Sequence, residues 1–406
     1  MALKAISLYT GVGGLDFGFE AAGFETSVAL DLDPVACRTL RANRHWPVLE
    51  GDVSRISSRT ILDAAGLRPT EADVLIGGPP CQPFSKSGYW ATGDARRLED
   101  SRAGTLGQYM RVLRDTLPKT FLVENVLGLA YAGKSEGLDF VRRGIDAINA
   151  ETGTRYSLAI QALNAADYGV PQARERVFIV GSRDGTPFHF PRPTHGHEAE
   201  TTRLPYLTAW DALGDLPQDN DDPSLAMTGK WADLLASVPE GKNYLWHTPR
   251  GGGEPLFGWR TRYWNFLLKL AKCQPSWTIQ AQPGPATGPF HWRNRKLSAV
   301  ELGRLQTFPD GIGYDCSRGE IQRLVGNAVP SALAETMARE IRRQLLKRPL
   351  QWTGASSLVP DPRGETPRPE LMARVPRKYL LLSGDHAAHP GTGKGRRAIN
   401  RLDQAA

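Results

Sequence analysis

The chain is poor in features that would place it outside the ordinary globular classes. Four cysteines in 406 residues (Cys37, Cys81, Cys273 and Cys316) form no CxxC pair and no dense framework. That spacing excludes a disulfide scaffold and leaves no zinc-binding pattern, so no metal is expected. No apolar run approaches the roughly 18 residues that a membrane span requires. The opening segment, MALKAISLYTGVGG, lacks a charged start, a long apolar stretch and a small-residue cleavage site. It does not read as a signal peptide, and a cytoplasmic protein is expected. Internal repeats are absent. Charge of one sign is scarce as well: the net charge is only +7. Residues 351–406 carry nine Lys/Arg against five Asp/Glu, a net +4 of that excess. A basic balance of this size favours a polyanionic partner without establishing one.

What the chain does have is alternation. Apolar segments at 3–9, 26–30, 72–78, 117–125 and 176–182 read as buried strands. Helical patterns fall near 15–22, 34–43, 104–116 and 137–150, with Asp33-Pro34 as a cap and first-turn proline. Strands alternating with helices predict an α/β fold, an open and mostly parallel sheet with helices on both faces. The pattern breaks after residue 185. From 187 to 290 the chain is rich in Pro, Gly, Trp and His without a steady period, which predicts a small irregular domain. Helical patterning resumes at 298–306 and 331–346. The domain reading is therefore 1–186 catalytic, 187–290 a second domain, 291–348 a return to the first, and 349–406 a basic, Pro/Gly-rich flexible tail.

Two loops carry chemistry. Residues 7–19, SLYTGVGGLDFGF, form a strand, a glycine turn and a helix start. Glycines at 11, 13 and 14 let backbone approach a ligand, and the helix N-terminus presents free N–H groups. Asp31 ends the next strand, where an acid can accept hydrogen bonds from ribose hydroxyls. Asp52 follows a third strand and can face an adenine ring. These residues predict an adenosine-containing cofactor, NAD being as admissible as others. The second loop, GGPPCQPFSKSG at 77–88, follows a strand at the ligand-binding edge of such sheets. Prolines on each side of Cys81 hold its thiol in one place, and polar neighbours argue for a reactive rather than a packing cysteine.

That loop resembles the proline-cysteine loop of the DNA cytosine-5 methyltransferases. The remaining ordered motifs of the family have counterparts: Glu124-Asn125-Val126, LNAADYGVPQARERVFIVG at 163–181, RKLSAVELGRLQTFPD at 295–310, and LVGNAVP at 324–330. The resemblance spans about residues 4–345. It implies S-adenosylmethionine as cofactor, held by Tyr9, Thr10, Gly11, Gly13, Gly14 and Leu15, with Asp31 and Leu32 at the ribose side. Asp52 and Val53 would meet the adenine, Pro80 would lie beside the methyl donor, and Asn327 and Val329 would return to the pocket. Asp31 stands where the family usually has Glu, and Ala328 where it often has Ser.

The resemblance also assigns the chemistry. Cys81 would attack C6 of cytosine and make C5 nucleophilic, while Glu124 would share a proton with ring N3. Arg176 would contact the O2 side of the ring, and Arg174 phosphate or the loop. Asn125 would position the Cys81 loop and Glu124. The base must leave the duplex to be reached. The expected DNA contacts are Gln82, Ser85 and Asn125 near the catalytic loop and Arg250, Arg260 and Arg262 in the target-recognition region 187–290, which also holds His195, His197, Arg203 and Lys242, with Arg293 just beyond it. The aromatics of FGWRTRYWNF (257–266) read as core of that small domain. The implied partners are double-stranded DNA, met as a monomer, and a restriction endonuclease as a functional counterpart. The catalytic motifs alone do not separate DNA from tRNA methylation, but the PCQPFS loop and the long 187–290 segment resemble the DNA-modifying branch. A non-catalytic DNA-binding regulator on the same fold need not keep Cys81, Glu124 and Arg176.

Overall fold

The computed structural model describes residues 2–80, 104–127, 136–197, 202–258, 263–350 and 356–381. Cys81, Gln82, Ser85, Arg260 and Arg262 lie outside the described residues, as do 351–355 and 382–406 of the tail.

Seven strands form the central sheet: β1 (Leu3–Leu8), β2 (Phe24–Asp31), β3 (Val48–Glu50), β4 (Val74–Gly77), β5 (Thr120–Val126), β6 (Ala159–Asn164) and β7 (Glu175–Ser182). Their spatial order is β3-β2-β1-β4-β5-β7-β6. All neighbours pair in parallel except β7, which runs antiparallel to both β5 and β6. The order reverses between β1 and β4, the switch point where open α/β sheets bind ligands. The expected open, mostly parallel sheet is thus observed.

Side-chain alternation explains why both faces are covered. Leu3 and Ala5 of β1, Val74 and Ile76 of β4, Leu122 of β5, and Phe178 and Val180 of β7 belong to one core. Ile6 and Leu8, Leu75, Phe121 and Val123, and Val177 and Ile179 belong to the core on the opposite face. Successive residues of a strand point to opposite faces, so strands this apolar need helices on each side. The first face is closed by α1 (Gly14–Ala21) and α8 (Ser331–Gln344) through Leu15, Phe19, Leu333, Met337 and Ile341. The second is closed by α3 (Ser58–Ala65), α4 (Gly104–Thr116) and α5 (Glu136–Thr152). Full burial of one such aliphatic side chain stabilises by about 1.5–3 kcal/mol.

Local chemistry sets the helix starts. The Asp33 carboxylate accepts from Val35 N–H at the head of α2 (Pro34–Asn43), with proline in its first turn. Reciprocal Ser–Glu capping boxes, Ser298 with Glu301 and Ser317 with Glu320, open α6 (Ala299–Leu305) and α7 (Arg318–Asn327). Strand β6 and helices α3 and α7 were not anticipated. β6 is an edge strand with mostly half-exposed residues, so it lacks the apolar alternation that marks its neighbours.

Between β7 and α6 the described chain has few regular elements. Leu234, Leu235, Val238, Tyr244, Leu256, Leu267 and Phe290 build a separate small core with Phe257, Phe266 and Trp231 packed on it. Phe257 and Phe266 therefore serve as core, as expected, while Tyr263 and Trp264 are exposed. The tail departs from expectation. Residues 356–381 are not a loose appendage: Ser356 and Tyr379 are buried, and Tyr379 joins the small core. A polar, Pro-rich composition concealed a segment anchored by a few specific contacts.

Candidate active site

The glycine turn sits at the carboxyl end of β1. Tyr9 has φ +55°, a left-handed conformation that costs a non-glycine residue about 1–2 kcal/mol. Its hydroxyl donates to Thr105 O at 2.6 Å, which ties the turn to the head of α4. Gly11 has φ +57°, and nothing lies within 4 Å of where a β-carbon would stand, so this part of the turn is open. Gly14 is the opposite: a β-carbon there would lie 2.4 Å from Val329 O. That approach brings the GNAVP turn onto the glycine loop, fastened by Ser331 Oγ donating to Gly14 O at 3.0 Å. Thr10 and Leu15 are buried, Val329 is buried, and Asn327 is exposed at the end of α7.

Asp31 ends β2 with its carboxylate turned to the glycine turn. It accepts from Gly11 N–H at 2.7 Å and from Asp33 N–H at 2.8 Å. Burial raises its pKa against those hydrogen bonds. An ionised carboxylate has about four acceptor positions, so capacity remains for a diol. Leu32 beside it is 66% exposed, a large apolar side chain offered to the same edge. Asp52 accepts from Ser54 N–H at 2.8 Å, and its carboxyl lies below the usual range through those Ser54 bonds. Arg111 donates to Val53 O and Ile56 O, which pins the Asp52 loop. An acid, an exposed apolar side chain and a second acid around an open glycine turn fit an adenosine.

The proline loop is held by two groups up to Pro80. Asn125 Nδ2 donates to Pro79 O at 3.0 Å, and Thr105 Oγ1 donates to Pro80 O at 3.0 Å. Thr105 thus joins Tyr9 to Pro80. Glu124, one residue before Asn125 on β5, is 8% exposed. Arg176 Nε lies 2.8 Å from its Oε1. Burial pushes the Glu124 carboxyl up, and the Arg176 and Arg174 cations pull it only partly back. The result is a carboxyl with increased proton affinity beside a strand edge, suited to sharing a proton with a ring nitrogen.

Among solved structures, a putative prophage-encoded DNA modification methyltransferase of E. coli aligns with TM-score 0.61 and 22% identity, over 86% of this chain and all of that one. A DNMT2 mutant of Spodoptera frugiperda aligns at 0.57 and 16%, over 84% and 99%. Both likenesses concern the fold. The family model described as C-5 cytosine-specific DNA methylase matches residues 3–343. The chain belongs to that family. Its relatives include the Type II methyltransferase M.SacI of Streptomyces achromogenes, 41% identical over 84% of this chain and 93% of that protein. M.NgoFVII of Neisseria gonorrhoeae is 34% identical over 83% and 86%.

Within this cytosine-5 methyltransferase, Arg174 and Asn125 are both drawn into the interior. Arg174 is 1% exposed and turned inward. Its Nη1 donates to Ile279 O at 3.2 Å and its Nη2 to Gly326 O at 2.8 Å. Burial and the neighbouring Arg176 cation hold its pKa well below the ordinary arginine value. It clasps interior carbonyls from two distant segments. Asn125 is buried too, with Nδ2 on Pro79 and Oδ1 accepting from Val126 N–H at 2.8 Å. Its side chain thereby holds Pro79, at the start of the proline loop. His195, also buried, pairs with Thr194 Oγ1, and Arg293 bonds Glu370. Arg250 is exposed.

Asp16, in the first turn of α1, was missed. It is fully buried and accepts from Ser7 Oγ and Thr26 Oγ1, each at 3.1 Å. Ser7 Oγ in turn lies 2.9 Å from Thr10 Oγ1, so the carboxyl braces the glycine turn from beneath. Desolvation drives its pKa up to about 7. The only sequence signal was an acid interrupting the apolar stripe of LDFGF.

Proposed function

We propose that this chain methylates C5 of a cytosine turned out of duplex DNA, through a covalent bond between Cys81 and ring C6, with S-adenosylmethionine as donor. The observation that carries the reading is the Glu124–Arg176 pair on β5 and β7, beside an Asn125 that holds the loop leading into Cys81. When bound, S-adenosylmethionine supplies an electrophilic methyl group. Tyr9 to Leu15, Asp31, Leu32, Asp52, Val53, Asn327 and Val329 are the residues that would hold it, with Pro80 near the methyl.

Cys81 thiolate forms the Sγ–C6 bond, and Glu124 delivers a proton to N3 so that charge does not accumulate on the ring. C5 then gains the electron density to take the methyl. Removal of the C5 proton to water expels Cys81 as thiolate by breaking the Sγ–C6 bond, and N3 returns its proton to Glu124. Arg176 fixes the Glu124 carboxyl and meets the O2 edge, while the exocyclic amine facing Glu124 selects cytosine over thymine. Region 187–290, with Arg250, Arg260 and Arg262, would read the DNA sequence together with Gln82 and Ser85. Its relatives are named Type II methyltransferases, and the chain would act as a monomer that protects DNA from a restriction endonuclease.

The test is tritiated methyl transfer to unmethylated duplex DNA by wild type and Cys81→Ser, with bisulfite sequencing of the product. Transfer to cytosine C5 that the variant loses is expected. Transfer to tRNA alone, or none by a cofactor-binding wild type, overturns the reading.

A further inference from the structure

The family model ends at residue 343, yet residues 356–381 run across the molecule and dock at successive stations. At the first, Ser356 Oγ and Ser357 Oγ both donate to the carboxylate of Glu335 on α8, beneath the catalytic sheet. At the second, Arg363 N–H donates to Asp211 Oδ1 and Arg363 Nε to Asp211 O, each at 2.8 Å, with Nη2 2.8 Å from Asp215. At the third, Glu370 N–H donates to Glu240 Oε1 at 2.8 Å, and the Glu370 carboxylate meets Lys272 at 3.0 Å and Arg293 at 3.1 Å. At the last, Ala373 N–H donates to Ala236 O at 3.0 Å. The Tyr379 ring stacks on Trp231 with centroids 5.7 Å apart and planes 18° apart. Its hydroxyl donates to Lys230 O at 2.8 Å.

The two ends of this segment therefore belong to different cores. One end lies on the helix that closes the catalytic sheet. The other supplies Tyr379, 2% exposed, to the small core of residues 227–290. That small core is built on short 3-10 helices of six and four residues and on isolated bridges. Buried Lys272 and Glu240 pair at 2.6 Å, and the tail's Glu370 supplies further partners to both. Buried ions need such complete satisfaction to be tolerated.

We propose that residues 356–381 are a positioning strap that aligns the DNA-reading region with the catalytic strands, Tyr379 and Glu370 being its anchors. This rests on the reading of 187–290 as the DNA-recognition region. The strap acts through that region and touches neither cofactor nor the reacting base. Its loss uncouples recognition from chemistry and leaves cofactor binding intact.

The experiment compares wild type, Tyr379→Ala, Tyr379→Phe and Glu370→Gln in the full chain. It measures KM for duplex DNA, kcat, the sites methylated by bisulfite sequencing, and calorimetric affinity for S-adenosylhomocysteine. Tyr379→Ala should raise the DNA KM by about ten- to a hundredfold, the scale set by a misplacement of about 1 Å. It should also spread methylation to sites that wild type ignores. Tyr379→Phe, which keeps the stacked ring, should restore both, and Glu370→Gln should shift them in the same direction without unfolding the chain. Unchanged KM and site pattern in Tyr379→Ala and Glu370→Gln overturns the proposal. So does an equal loss of S-adenosylhomocysteine affinity, which marks general destabilisation. A wild type that binds the cofactor analogue but methylates no DNA sinks the recognition reading, and the strap's role with it.

Discussion

Arg176 Nε stands 2.8 Å from Glu124 Oε1, joining two antiparallel neighbours of the sheet at the edge where the proline loop departs. Both side chains are largely buried, so the pair is held by geometry rather than by solvent-exposed attraction. Removing one partner of a buried ion pair leaves an uncompensated charge, at a cost of about 3–5 kcal/mol.

Glu124→Gln keeps the shape and removes the proton. Methyl transfer should fall by about a hundredfold or more, the usual contribution of positioned acid–base catalysis. S-adenosylhomocysteine affinity, measured by calorimetry, should be unchanged. A variant that retains near wild-type kcat would remove Glu124 from the chemistry.

Asn125→Ala cuts the bond to Pro79 O and releases the loop that leads to Cys81. The folded state should lose only about 1 kcal/mol for the hydrogen bond, while kcat falls far more than that. Single-turnover kinetics beside thermal unfolding separates the two. Equal, small effects on both would make Asn125 a mere packing residue.

Gly14→Ala and Gly11→Ala should diverge. A β-carbon at Gly14 would lie 2.4 Å from Val329 O and 3.0 Å from Ala328 Cβ, whereas Gly11 has open space. Overpacking at Gly14 should cost about 1–3 kcal/mol and loosen the GNAVP turn. Gly11→Ala should cost only its left-handed backbone, roughly 1–2 kcal/mol. Unfolding temperatures and cofactor-analogue affinity should fall together for Gly14→Ala.

Asp16 makes stability pH-dependent in a predictable direction. Its pKa rises from 3.8 to about 7 on folding, because desolvation disfavours the carboxylate. The stability it contributes is fully present below 3.8 and is lost as pH rises to about 7. Over that window the slope is about 1.4 kcal/mol per pH unit. His195, His247 and His291 have lowered pKa values and act in the opposite sense, so wild type alone would blur the effect. The difference in unfolding free energy between wild type and Asp16→Asn removes them. It should decline between pH 4 and 7 and be flat above; a difference independent of pH would refute the assignment.

Local chemistry was readable from the chain itself. Strand and helix alternation, the glycine turn and the Asp33-Pro34 helix start depend on neighbours a few residues away. The same holds for the ordered motif set that points to Cys81, Glu124 and Arg176, because each motif is short. Three features needed the folded molecule. Arg174 turns inward because carbonyls at Ile279 and Gly326, 105 and 152 residues away in sequence, converge on it. Asp16 is buried because β1 and β2 bring Ser7 and Thr26 to its carboxyl. The 356–381 segment is docked because Glu335, Asp211, Lys272 and Trp231 happen to lie along one path. Composition reports average solubility, whereas burial and partnership arise from long-range convergence, which no window of sequence contains.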